Sequence, residues 1–287
     1  MENPKTTIFP QLKNLINFTK ERLVIKKSYP KYLILFVTSA CNANCGHCFY
    51  YSQNRNLNHE ELGLDTIKHI ASSINKLQIL TITGGEPFLR NDLPQIAEIF
   101  YRDNKTDTIH IATNGLLPAK IKTVTENILS TCNCNITLAI SLDGLGDRHD
   151  IIRGVKNAFN SVIETYEQMK ILKLTYPNFT LAVNTVISNK NYDDLPKIIQ
   201  FVKDNFDQID IHDFDWIRAM PQDASFGLPS LQQLAEIKDI LMQTARYYYS
   251  KKKSKTALMI SLGLYELLFD LRYGVVKEKR RLRCLNL

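Results

Sequence analysis

The chain has 287 residues, of which 44% are hydrophobic, so it can bury a large core in one or two domains. No segment approaches the roughly 18 uninterrupted apolar residues of a membrane span, and the N-terminus lacks the layout of a signal peptide, so we expect a cytoplasmic protein. The net charge of +7 is concentrated in residues 250–287, where ten Lys and Arg accompany three Asp and Glu, and this local excess argues against a nucleic-acid-binding protein.

Helical and extended segments alternate along the chain. Residues 10–27 have the apolar spacing of an amphipathic helix. Six apolar, β-branched runs then indicate strands at 32–38, 78–83, 108–112, 135–141, 180–186 and 209–217. Segments of helical period lie between them near 60–75, 92–103, 117–130, 154–173 and 193–206, and two more follow at 229–250 and 257–273.

This order predicts an α/β fold with a parallel sheet. Apolar strands that alternate with amphipathic helices form either an open doubly wound sheet or a barrel, and six units are fewer than the eight of a closed barrel. The segment from Pro221 to Pro229 is the predicted boundary. We therefore expect an N-terminal helical extension over 1–30, a core over 31–225 and a basic helical C-terminal extension over 226–287.

Short polar motifs follow all six predicted strands. The carboxyl ends of parallel strands share one edge, where the loops converge on one crevice, so we expect these motifs to form a common active site. In chain order they are Cys41–Cys48, Thr83–Pro87, Thr113–Gly115, Ser141–Gly144, Val183–Thr185 and Asp215–Arg218.

Cys41, Cys45 and Cys48 crowd three thiols into one loop. Three thiolates cannot complete a structural zinc site without a fourth ligand from elsewhere, whereas a [4Fe-4S] cluster held by three cysteines leaves one iron open. The possible fourth ligands are Cys132, Cys134 and Cys284. We discount Cys132 and Cys134 because they precede strand 4 and so lie at the opposite edge of the sheet.

The combination of CxxxCxxC after the first strand, GGEP after the second and SLDG after the fourth resembles the radical S-adenosylmethionine (SAM) enzyme superfamily. The match spans about residues 32–218. The resemblance implies a partial (β/α)6 TIM-like barrel with outer helices. It also implies a [4Fe-4S] cluster on Cys41, Cys45 and Cys48, whose open iron binds SAM. Reductive cleavage of SAM would then yield a 5′-deoxyadenosyl radical that abstracts hydrogen from substrate.

The resemblance also implies roles for the glycine-rich motif and the residues around it. Gly84 and Gly85 would let SAM approach the backbone, the Glu86 carboxylate would meet the SAM ammonium group, and Pro87 would stiffen the turn. Arg153 would pair with the SAM carboxylate; its other interpretation is a surface arginine at a helix start. The remaining expected SAM contacts are Ser141 and Asp143 at the ribose, Asn114 and Asn184 as weaker candidates, and His47 near the adenine.

Residues that redirect the substrate radical should lie at the ends of strands 5 and 6. The four candidates there alternate in direction, with Asp213 and Asp215 on one side and His212 and Trp216 on the other. The sequence does not say which pair faces inward.

SLDG followed by HDxxRG resembles the subgroup whose barrel precedes a SPASM or twitch domain with auxiliary iron-sulfur clusters. Arg280 to Cys284 resembles the basic lead into such a domain, yet the chain ends three residues later. We therefore expect a truncated chain; otherwise Cys284 is idle. The basic tail itself is either a solvated helical face or a patch for an acidic partner.

The subgroup resemblance favours a peptide substrate, with a carbohydrate or another small metabolite as the second choice. An external electron donor of the flavodoxin or ferredoxin type is implied. A different class of function, a non-catalytic iron-sulfur or zinc-binding module that keeps the fold, would predict decayed SAM motifs, and GGEP, SLDG and Arg153 are intact.

Overall fold

The computed structural model describes residues 30–50 and 61–251. The expected helices at 10–27 and 257–273, most of the basic tail and Cys284 lie outside these residues. Six parallel strands form one sheet in the order of the chain. They are β1 (Tyr32–Thr38), β2 (Ile79–Gly84), β3 (Thr108–Thr113), β4 (Asn135–Ser141), β5 (Phe179–Ile187) and β6 (Ile211–Trp216).

Helices connect the strands and follow the last of them. They are α1 (Leu64–Ser72), α2 (Leu93–Asn104), α3 (Pro118–Thr131), α4 (Asp147–Arg153), α5 (Ala158–Thr175), α6 (Leu195–Asn205) and α7 (Leu231–Lys251). Short 3-10 turns occupy Pro87–Leu89 and Tyr192–Asp194. The fold is a partial α/β barrel, as expected. No helix within the described ranges is both long and apolar enough to cross a bilayer.

One side of the sheet forms the core. Alternate strand residues such as Leu80, Ile109, Ile136 and Phe179 are buried there with the apolar faces of the helices. Because successive side chains of a strand point to opposite faces, this packing fixes which residues line the other side. That second side is concave in a barrel, and we call it the concave face.

The concave face is polar along several rows. The strand register aligns Ile34, Thr81, His110, Thr137 and Thr180 in one row, and all five are only half-buried. A second row nearer the carboxyl edge aligns Ser141, Asn184 and Asp213. Polar side chains are therefore carried inward by β3 to β6 toward the end where the loops gather.

Helix α4 was not among the predicted helices. It has only seven residues, too few to show a helical period, and it lies between Gly146 and Gly154, both of which have positive φ angles. Arg153 is the last residue of α4 and is 6% exposed, so the interpretation of Arg153 as a surface arginine at a helix start is wrong.

The burial pattern predicts a large difference between two identical substitutions. Ile140 in β4 is 0% exposed, whereas Ile151 in α4 is 75% exposed. Ile140→Ala should lower the free energy of unfolding by about 2–5 kcal/mol because it leaves a cavity in the core. Ile151→Ala is the matched control and should change it by no more than about 0.5 kcal/mol. Urea unfolding followed by circular dichroism measures both, and equal losses would contradict this packing.

Candidate active site

The three clustered cysteines follow β1 directly. Cys41 is exposed, Cys48 is half-buried and Cys45 is 8% exposed. The loop turns back on itself where the Cys48 amide donates to the Cys45 carbonyl at 3.1 Å. Two thiols are thus partly accessible and one is enclosed.

The glycine-rich loop after β2 pairs with the backbone that leads to Cys41. The Gly85 amide donates to the Thr38 carbonyl and the Glu86 amide to the Ala40 carbonyl, both at 2.8 Å. A Cβ atom on Gly84 would lie 2.4 Å from the Thr38 oxygen, and one on Gly85 would lie 2.0 Å from the Ala40 oxygen. These glycines therefore permit a close approach of protein backbone. The approach of SAM to them stays a prediction.

Three hydrogen-bond donors hold the Glu86 side chain. Its carboxylate accepts hydrogen bonds from the Phe88 amide at 3.2 Å, the Thr113 hydroxyl at 2.9 Å and the Asn114 amide at 2.7 Å. Glu86 is 1% exposed. Burial raises its pKa to about 7, although the three hydrogen bonds act to lower it. The carboxylate joins the glycine-rich loop to the end of β3. Its contact with the SAM ammonium group stays a prediction. Pro87 begins the 3-10 turn that follows and is buried.

Asn114 links β3 to the cysteine loop. Its side-chain nitrogen donates to the Asn42 Oδ1 atom at 2.7 Å and lies 3.8 Å from the Cys41 sulfur. The Ala43 amide also donates to that sulfur, at 3.4 Å. Partial burial of the sulfur raises the pKa of Cys41, and these two N–H groups offset part of that increase.

Helix α4 holds the other end of the loop. The Asn44 amide donates to the Arg153 carbonyl at 3.0 Å, and the Gly46 amide donates to the Ile152 carbonyl at 3.1 Å. Gly154 ends the helix with φ +64°, and a Cβ atom there would lie 2.4 Å from the Asn44 oxygen. The final carbonyls of this short helix are thus satisfied by the cysteine loop.

Asp143 and Arg153 form a buried ion pair beside Cys45. The Arg153 Nη2 atom lies 2.6 Å from Asp143 Oδ2, and its Nη1 atom lies 3.8 Å from the Cys45 sulfur. Burial opposes charge on both partners, yet the guanidinium holds the pKa of Asp143 below its ordinary range. This carboxylate is 0% exposed and paired with Arg153, and its contact with a ribose stays a prediction.

Two histidines flank this pair. The His47 Nε2 atom lies 3.7 Å from Asp143 Oδ2, while His149 accepts a hydrogen bond at Nδ1 from the Asp143 amide, at 3.1 Å. Both rings are buried, and burial lowers each pKa to about 4, so both are neutral near pH 7. His47 is 9% exposed and lies beside the cysteine loop, as its sequence position required.

Ser141 and Asn184 are neighbours on β4 and β5 and share the concave face. The Asn184 Nδ2 atom donates to Asp215 Oδ2 at 3.3 Å, which connects the row to β6. Asp213 and Asp215 are half-buried on this face. His212 and Trp216 point the other way into the core, and His212 Nε2 lies 2.9 Å from the Thr185 hydroxyl. Of these four residues, Asp213 and Asp215 therefore lie on the concave face, and His212 and Trp216 lie on the core side.

A segment after β6 covers the cysteine loop. Its sequence did not predict this contact. The Gln222 and Asp223 amides donate to the Cys48 and Gly46 carbonyls at 3.1 and 2.9 Å. A Cβ atom on Gly46 would lie 2.3 Å from the Phe226 ring. We call residues 221–227 the strap. The predicted domain division at residue 225 falls inside it, and no sequence period reveals its contact with a loop about 180 residues earlier.

Cys132 and Cys134 lie at the opposite edge of the sheet, as predicted. Both precede β4 and are buried, and burial raises the pKa of Cys134 to about 12. The Asn178 side chain donates hydrogen bonds to the carbonyl oxygens of both residues, and these contacts hold the two cysteines in place.

The donor set of the loop fits an iron-sulfur cluster. Among the described residues, no three Cys, His, Asp or Glu side chains are grouped closely enough to hold a single metal ion. A multi-iron cluster takes one thiolate at each of several irons, and N–H groups near the sulfurs are among the features that tune such clusters. Cys41, Cys45 and Cys48 would hold it.

Residues 35–202 match the family model of the radical SAM superfamily. The chain belongs to this superfamily. It is 33% identical over 177 residues to an uncharacterized protein of Methanocaldococcus jannaschii, a match that covers 60% of this chain and 57% of that protein. It is 31% identical over 238 residues to GTP 3′,8-cyclase of Campylobacter jejuni, covering 80% of this chain and 68% of the cyclase.

A solved structure gives a similar fold. Streptococcus suis SuiB bound to its precursor peptide SuiA superposes with a TM-score of 0.59 at 20% identity, covering 88% of this chain and 54% of that one. The chain spans about half the length of the first curated relatives that it matches.

The close contact at Gly85 predicts the effect of one added methyl group. Gly85→Ala should lower the free energy of unfolding by about 1–3 kcal/mol, because the glycine-rich loop must move away from Ala40. Gly63→Ala is the control, since a Cβ atom there meets nothing within 4 Å. Thermal unfolding of the metal-free chains tests this, and a Gly85 variant as stable as the control would contradict the contact.

The buried His149 predicts a pH dependence of stability. Its folded-state pKa of about 4 lies below the ordinary value of 6.5, so the unfolded chain binds more protons between these values and stability falls as the pH drops through this window. In His149→Gln, which keeps an acceptor but does not titrate, the loss should be smaller. The exposed His69→Gln control should retain the wild-type slope in urea titrations from pH 7 to pH 4. An unchanged slope in His149→Gln would contradict the assignment.

Proposed function

We propose that this chain catalyses reductive cleavage of SAM at a [4Fe-4S] cluster held by Cys41, Cys45 and Cys48, and that the resulting 5′-deoxyadenosyl radical abstracts hydrogen from a peptide. The observation that carries the proposal is the cysteine loop, which three segments hold at the carboxyl edge of a partial barrel. Membership of the radical SAM superfamily supports the same chemistry.

The bound cluster would supply one electron to SAM through its open iron, which is chemistry that the side chains themselves lack. The protein's part is to hold three thiolates, orient SAM and enclose the radical. Backbone hydrogen bonds from Gly85, Glu86, Asn44 and Gly46 keep the loop in one conformation. A loop held in this way loses little entropy when it binds a cluster.

The concave face is the proposed site for the ribose and substrate. Ser141 and Asn184 lie in one row there, and we propose that they bind the ribose hydroxyls. His47 is beside the cysteine loop and we propose that it lines the adenine pocket. Asn114 is held by Asn42 and would act mainly through the loop. The apolar core behind the strands keeps water from the other side.

Charge on the concave face supports a peptide over a nucleoside triphosphate. Among the described strand residues that point to this face, Asp213 and Asp215 carry charge, and no Lys or Arg is present. Arg218 follows β6 but is paired with Asp215 at 2.7 Å. A triphosphate needs cationic partners, so the GTP named in the cyclase relative is disfavoured here.

The fold likeness to SuiB, whose structure holds the precursor peptide SuiA, points in the same direction. A neutral carbohydrate is the second candidate, because the Ser141, Asn184 and Asp213 row offers hydrogen-bonding groups to hydroxyls. The electron would come from an external donor of the flavodoxin or ferredoxin type. The SPASM or twitch subgroup remains a proposal that rests on SLDG and HDxxRG.

Anaerobic reconstitution tests the proposed reaction. With dithionite and SAM, the reconstituted chain should absorb near 400 nm and release 5′-deoxyadenosine and methionine in equal amounts. Cys45→Ala should reduce release at least 100-fold, because it removes a cluster ligand. Cys132→Ala, a matched loss of one buried thiol, should keep wild-type release within about twofold. A reduced cluster that yields no 5′-deoxyadenosine from SAM would favour a non-catalytic binding module.

A further inference from the structure

The buried pair of Asp143 and Arg153 is oriented toward the cysteine loop. Arg153 is 6% exposed and Asp143 is 0% exposed, so neither charge is solvated. One end of the guanidinium lies 2.6 Å from Asp143 Oδ2 and the other lies 3.8 Å from the Cys45 sulfur. The arginine therefore bridges a carboxylate and a thiol that the proposed function assigns to the cluster.

Asp143 is itself fixed by several contacts. Its Oδ1 atom accepts a hydrogen bond from the Val186 amide at 2.8 Å, and its carbonyl accepts one from Asn191 at 2.9 Å. Its amide donates to His149. Because the carboxylate is anchored, its ion pair with Nη2 orients the planar guanidinium so that Nη1 faces the Cys45 sulfur.

We propose that Asp143 is a positioning residue that holds Arg153 beside Cys45, and that these paired charges set the reduction potential of the cluster. This inference rests on the proposed function, since it needs a cluster on Cys45. It gives Arg153 a role other than the SAM carboxylate contact that the sequence suggested.

The direction of the effect follows from electrostatics. Reduction adds one negative charge to the cluster, so a neighbouring cation stabilises the reduced form and raises the potential, whereas an anion lowers it. Charges interact more strongly in a buried site than in water. The Arg153 Nη1 atom lies 3.8 Å from the Cys45 sulfur, and Arg153 is 6% exposed. An N–H group directed at a cluster sulfur acts in the same sense as the positive charge.

Three variants separate the contributions. Arg153→Gln removes the positive charge and should shift the midpoint potential to more negative values. Arg153→Lys keeps the charge without the planar fork and should show a smaller negative shift than Arg153→Gln. Asp143→Asn removes the anion that holds Arg153, so its potential should differ from that of the wild type. A positive shift follows where the lost negative charge dominates, and a negative shift follows where the guanidinium leaves Cys45. Arg148→Gln is the control on the same helix, because Arg148 pairs with Asp193 and Asp194 and is one-third exposed.

The measurement is a redox titration of the reconstituted chains followed by electron paramagnetic resonance, with iron content determined for each variant. It needs neither SAM nor substrate. Equal potentials in wild type, Arg153→Gln and Asp143→Asn would overturn the inference, as would identical shifts in Arg153→Gln and Arg153→Lys. If Arg153→Gln does not retain iron, the Arg153→Lys and Asp143→Asn potentials decide by the same criterion.

The outcome is distinguishable from a failure of the proposed function. A wild-type chain that binds a cluster but does not cleave SAM would overturn the function and still allow the potentials to be compared. Normal SAM cleavage with unchanged potentials would overturn only the role of the ion pair. A wild-type chain that binds no iron would overturn both.

Discussion

The site depends on backbone hydrogen bonds that fix the cysteine loop from three directions. The glycine-rich loop, the end of α4 and the strap each contribute two such bonds. Backbone groups require close approach, and glycines at 46, 84, 85 and 154 provide the space that a Cβ atom would fill. A loop with three thiols and little regular structure is thereby tied to three other segments of the chain.

The strands were predictable because their signal is local. Each apolar run between turns corresponds to an observed strand within about two residues, and the parallel order follows from the alternating helices. The position of the cysteines, GGEP and SLDG at one edge follows from the same order. Helix α4 was missed because seven residues contain too little periodicity, and the strap was missed because its contacts are long-range.

The direction of individual side chains was the least predictable feature. Glu86 and Asp143 belong to motifs near the site, yet both carboxylates are turned into the protein, where they accept hydrogen bonds from amides just after β3 and in β5. A motif gives the type of residue and its approximate place, whereas the partner of a carboxylate depends on backbone groups that converge only in the folded chain. Likewise, the alternation on β6 predicted two opposed pairs, and only the packing of His212 into the core decides which pair faces inward.

These two carboxylates also explain how the motifs work together. Glu86 ties the GGEP loop to β3, and Asp143 ties SLDG to the arginine of HDxxRG. A buried ion pair is weak support for stability, because well-packed apolar residues of similar volume are often as stable or more so. Folding stability alone therefore does not explain why this ion pair lies beside Cys45. Its guanidinium lies 3.8 Å from the Cys45 sulfur, and the proposed effect on the reduction potential of a cluster follows from this contact.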